Sequence, residues 1–101
     1  MDYLSYLMIP NGSRAKVPSR LPMDLIDRFT DDALLQGMFV LDTKISKDGL
    51  PVLHVEAQDW EKRDIQQAMA ILHKQNPKVI ASVKRAAGTG DLLLTLDRRA
   101  A

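Results

Sequence analysis

Residues 22–99 read as one plan used twice: helix, hairpin, helix, hairpin. Residues 22–37 precede two short apolar runs split by Lys47-Asp48-Gly49. Residues 59–76 precede two more, split by Gly88-Thr89-Gly90. Short runs joined by glycine turns pair as antiparallel hairpins. Helices between hairpins must bury their apolar stripes on that sheet. The order therefore predicts a small α+β two-layer domain, an antiparallel sheet of two or three hairpins with two main helices on one face.

The third hairpin would come from residues 3–17. Tyr3 to Ile9 read as a strand entering the turn Pro10-Asn11-Gly12-Ser13, where Asn11-Gly12 is a strong type I′ signal; one turn of helix is the other reading of this arm. Residues 1–21 are read as an N-terminal arm or hairpin, and residues 22–101 as a single domain of the usual size.

In the first helix Leu25, Ile26, Phe29 and Ala33 share one side of a 3.6-residue wheel, and Gly37 is a natural stop. Thr30-Asp31-Asp32 offers a second cap, which would divide this segment into two short helices. In the second helix Asp59 is placed at the cap, Ile65, Ala68, Met69 and Leu72 form the stripe, and Asn76-Pro77 ends it. Strict alternation puts Phe39, Leu41, Thr43 and Ile45 on one sheet face. It also turns Leu53, Val55, Val79, Ala81, Val83, Leu92, Leu94 and Leu96 inward.

With no cysteine among 101 residues, disulfide frameworks, thiolate zinc sites and cysteine nucleophiles are excluded. The start Met1-Asp2-Tyr3-Leu4-Ser5-Tyr6 lacks the basic, then apolar pattern of a secretion signal, and no run reaches membrane-spanning length. The expectation is a soluble, cytoplasmic protein with no membrane association. P-loop, dinucleotide and nucleophile-elbow motifs are absent. His54 and His73 have no metal-ligand spacing, although Glu56 shares a strand face with His54. No catalytic set, metal or cofactor is therefore expected.

Three surfaces remain. Trp60 and Ile71 lie near one another on the wheel, with Gln67 between; Ile80 and Leu93 fall on the nominally wet sheet face. Apolar residues left over after a core is filled are candidate contacts for a protein partner or a second copy of the chain, though Trp60 also suits the edge of the core. The second surface is basic. Lys78, Lys84, Arg85, Arg98 and Arg99 flank the last hairpin, a layout like a nucleic-acid-binding ribbon, diluted by Asp91 and Asp97 and lacking aromatic residues for base stacking. The third is the acidic face of Asp24, Asp27 and Asp31, a solvated stripe or an acidic docking face. Net charge is only +1, but residues 22–57 carry seven acidic and three basic side chains, whereas residues 58–101 carry five and eight.

The element order is similar to the first part of the small dimeric scaffold modules of the roadblock family. The likeness is one of topology. That family's last strand and helix have no counterpart here, and no residue motif is shared. It implies a dimeric scaffold. The leading expectation is a non-enzymatic adaptor or regulatory domain that binds an unidentified protein and forms a homo-oligomer. The alternative is a nucleic-acid-binding accessory protein contacting phosphates through the basic hairpin.

Overall fold

The computed structural model describes residues 21–99. The expected N-terminal hairpin lies outside the described residues. The rest follows the doubled plan: α1 (Met23–Leu35), β1 (Phe39–Ile45), β2 (Pro51–Glu56), α2 (Lys62–Gln75), β3 (Val79–Arg85) and β4 (Leu92–Arg98). All strand pairs are antiparallel, in the order β1-β2-β4-β3. The two hairpins thus join through their second strands, and β1 and β3 are the edges of the sheet among the described residues. Leu53 pairs with Leu94 and Val55 with Leu92 across that central seam.

One sheet face meets both helices. Leu53, Val55, Val79, Ala81, Leu92, Leu94 and Leu96 are buried there against Ile26, Phe29 and Ala33 of α1 and Ile65, Ala68, Met69 and Leu72 of α2. Fully burying one of the large side chains contributes roughly 1.5–3 kcal/mol. Leu25, expected in the stripe, is only half-buried at its edge.

Helix α1 is continuous. Thr30 does not cap a second helix; its hydroxyl donates to the Ile26 carbonyl at 2.8 Å and stays within the first. The helix ends in a Schellman turn, with Gly37 N–H on the Leu34 carbonyl and Met38 N–H on the Ala33 carbonyl, both at 2.9 Å. Gly37 holds φ +88° to make that reversal. Helix α2 starts later than expected. Asp59 does not cap it; Glu61 takes that position, and the Asp64 carboxylate accepts the Glu61 N–H at 3.1 Å. At the other end buried Asn76 donates to the Leu72 carbonyl and to Asp32 of α1, each at 3.0 Å, tying the two helices together.

Alternation fails in β1. Its register slips between Val40 and Asp42, so Leu41 is an extra residue in a β-bulge. Val40 therefore turns to the core beside Thr43 and Ile45, while Phe39 and Leu41 are 58% and 55% exposed. Val83 is also exposed, on a strand that among the described residues has a neighbour on one side only.

Candidate partner-binding groove

The Schellman turn and the bulge act together on one end of the domain. The turn leaves Leu34 and Leu35 outside, Leu35 being 80% exposed, and the bulge leaves Phe39 and Leu41 outside. Gly37 then passes the Trp60 ring, where an added Cβ would sit 3.7 Å from Cζ2. Trp60 precedes α2 rather than belonging to it, so the helical wheel does not relate it to Ile71. The loop does so instead. Trp60 N–H bonds the Ala57 carbonyl at 3.1 Å, and Arg85 clamps the segment from β3. Its guanidinium donates to the carbonyls of Trp60 at 2.9 Å, Ala57 at 3.2 Å and Gly90 at 2.6 Å.

The result is a concavity of about 470 Å³ lined by Gln36, Asp59, Trp60, Asp64, Gln67, Ala68 and Ile71. A second one, of about 270 Å³, shares Asp59 and Trp60 and reaches Phe39 and Glu56. Half-buried Trp60 thus lines both. The lining of the first mixes apolar Trp60, Ala68 and Ile71 with the carboxylates and amides of Asp59, Asp64, Gln36 and Gln67, a composition common to side-chain and ligand pockets.

The four apolar contact candidates do not form one surface. Trp60 and Ile71 share the groove on the helix layer. Ile80 and half-buried Leu93 lie on the open sheet face, but Ile80 pairs with Asp97 whereas Leu93 pairs with Lys84 and His54. The two are therefore two rungs apart, with Ser82 and Thr95 between.

The basic residues are divided as well. Lys78, Arg98 and Arg99 gather at one end of the last hairpin, lining with Pro22 and Leu25 a concavity of about 360 Å³. Lys84 and Arg85 stand at the other end, about 20 Å away along a seven-residue strand. Arg85 is committed to the three carbonyls, and Arg99 donates to the Pro77 carbonyl at 2.8 Å. Asp24, Asp27 and Asp31 are exposed along α1.

His54 is not partnered by Glu56. Its Nε2 meets the Asp91 carboxylate at 2.8 Å, and the other Asp91 oxygen accepts the Ala57 N–H at 3.4 Å. Asp91 is only 4% exposed. The His54 bond, helped by the Ala57 amide, holds its carboxyl below the usual aspartate value against the opposing effect of burial. Among the described residues, no three His, Asp or Glu side chains converge as metal ligands. None of the described helices is long and apolar enough to cross a membrane.

Sequence reasoning missed His54–Asp91, the Arg85 clamp, and Leu34, Leu35, Phe39 and Leu41 as surface. One signal was available: Leu34 and Leu35 are adjacent at a helix end, where a single buried stripe cannot take both. No protein-family model, curated protein or solved structure matches this chain.

Proposed function

We propose that this chain is a non-enzymatic adaptor or regulatory domain that docks a protein partner at the Trp60–Ile71 groove and self-associates on its sheet side. The observation that carries the reading is the placement of the sole tryptophan. Trp60 lines two concavities, one of which reaches exposed Phe39, and Leu34, Leu35 and Leu41, close to Phe39 in the chain, are also outside. Clustered exposed aliphatic and aromatic side chains are costly to leave in water and mark contact surfaces. Tryptophan in a half-desolvated pocket is the residue type that most often dominates such contacts.

A second reading has its own observation. Lys78, Arg98 and Arg99 converge on one concavity, and on this reading phosphate contact centres on that end of the hairpin. Nucleic-acid binding there would require neither Lys84 nor Arg85.

Light scattering after gel filtration, at low and at moderate salt, with and without a mixed DNA and RNA pool, separates the two. The adaptor reading expects a self-associated species indifferent to nucleic acid. A monomer that shifts with nucleic acid and releases it in salt would overturn it in favour of the second reading. A photo-crosslinker at Gln67 then tests the groove: a partner captured equally by the wild type and by Ile71→Asp does not use it.

A further inference from the structure

The two sheet edges differ. The β1 edge is broken by the Leu41 bulge, a feature that obstructs strand addition. The β3 edge is regular, with seven successive pairs to β4 from Val79–Arg98 to Arg85–Leu92. Its backbone directions follow from the bonds at its two ends. Arg99 N–H bonds the Lys78 carbonyl at 3.0 Å and Ala86 N–H bonds the Asp91 carbonyl at 2.7 Å. Lys78 and Ala86 therefore face β4, as do the residues of the same parity, Ile80, Ser82 and Lys84. Val79, Ala81, Val83 and Arg85 turn their amides outward.

Two of those outward amides are already taken: Val79 N–H by the Asn76 carbonyl at 3.0 Å, in the turn that enters β3, and the other by a side chain. The Ala81 N–H donates to Nε2 of His73, on the last turn of α2, at 3.2 Å. An imidazole nitrogen accepts a hydrogen bond only when it carries no proton. His73 thus occupies the middle of the edge at the position another strand would need.

We infer that β3 is the self-association edge, pairing antiparallel with β3 of a second copy, and that His73 guards it by holding the Ala81 amide. This rests on the reading that the chain self-associates. Overlap selects the register, since pairing centred on Ser82 alone opposes all seven residues of β3, and charge agrees with it. Pairing centred on Ser82 sets Ala81 against the partner subunit's Val83, Lys84 against the partner subunit's Ile80 and Lys78 against the partner subunit's Ala86. No like charges then face one another. The register centred on Ala81 would oppose Lys78 and Lys84, which is destabilising. In the Ser82-centred pair the Ala81 amide donates to the partner subunit's Val83 carbonyl, so His73 must release it. Exposed Ile80 and Val83 lie beside the seam, one on each face.

The test uses the residue that would meet itself on the two-fold axis. Ser82→Lys and Ser82→Asp each place two like charges at the closest non-bonded pair position. Each alone should be monomeric by sedimentation equilibrium, and an equimolar mixture should dimerise. His73→Ala, which cannot accept the Ala81 amide, should tighten the wild-type dimer on the order of tenfold, as expected for freeing one bond per subunit. His73→Gln, whose amide oxygen accepts, should stay near wild type. If both Ser82 variants dimerise as the wild type does, the β3 seam is wrong; loss of that dimer in Ile71→Asp instead would leave self-association standing through the groove. If the wild type and His73→Ala are both monomeric, the edge and the self-association reading fall together.

Discussion

Replacing Gly37 tests whether backbone conformation alone fixes the end of α1 and hence the groove. Gly37 closes the Schellman turn at φ +88°, a region that costs an L-residue with a Cβ roughly 1–2 kcal/mol. Space is not the constraint, because the nearest side-chain atom to a new Cβ, Trp60 Cζ2, would stand at an ordinary 3.7 Å. Gly37→Ala also stiffens the unfolded chain, which returns some of the loss, so the net cost should be about 1 kcal/mol. For a domain of this size that lowers Tm by roughly 4–8 °C. Asparagine is larger than alanine but adopts the left-handed region more readily. The order of stability should therefore be Gly, then Asn, then Ala. Gly88 provides the comparison, with φ +90° and nothing among the described residues within 4 Å of a new Cβ, so Gly88→Ala should lose a similar amount. Urea unfolding followed by Trp60 fluorescence and by circular dichroism measures all four proteins. An order of Gly, Ala, Asn at position 37, or a Gly37→Ala loss several times that of Gly88→Ala, would mean that crowding against Trp60 governs the site, and the conformational argument would be refuted.

The Asp91 carboxyl titrates below its ordinary value of 3.8 in the folded state, so its contribution is fully present above that pH and is lost as pH falls through the lowered folded value. Asp91→Asn should accordingly be less stable than the wild type at neutral pH, with the two urea midpoints converging below 3.8; a gap independent of pH would refute this. Deleting Leu41 should preserve the fold, because Val40 and Thr43 keep their inward positions when the bulge closes. It should also leave two regular edges per subunit, so species larger than a dimer should appear in light scattering; an unchanged mass would show that the bulge does not protect β1.

The legible part of this fold is the part written in local periodicity. The stripe of Ile65, Ala68, Met69 and Leu72 is readable because four positions at helical spacing admit one burial solution, and it is the stripe the core uses. The turns at Gly49 and Gly88 are readable because positive φ narrows the choice of residue. The bulge leaves no such mark. Phe39-Val40-Leu41 is apolar at every position, so alternation can be counted from either parity; cross-strand pairing with Val55 decides that Val40 goes in. The candidate surfaces are hard to read for the same reason. Arg85 looks like a phosphate contact when read beside Lys84. It becomes a clamp only because β4 lies between β2 and β3 in the sheet, bringing the Ala57 and Trp60 carbonyls to it across 28 and 25 residues. His54 sits beside Glu56 in the chain but bonds Asp91, 37 residues away. Each of these pairings follows from the strand order β1-β2-β4-β3. Two hairpins can join through their first strands or their second, and hydrophobic patterning is the same in both. What distinguishes the observed join is the polar set it satisfies. The Asp91 carboxylate finds His54 and the Ala57 amide, and Arg85 finds three carbonyls, only when β4 lies against β2. The polar residues that looked like candidate chemistry are thus part of what selects the topology, and the groove proposed for a partner is the apolar remainder around Trp60 that this arrangement leaves outside.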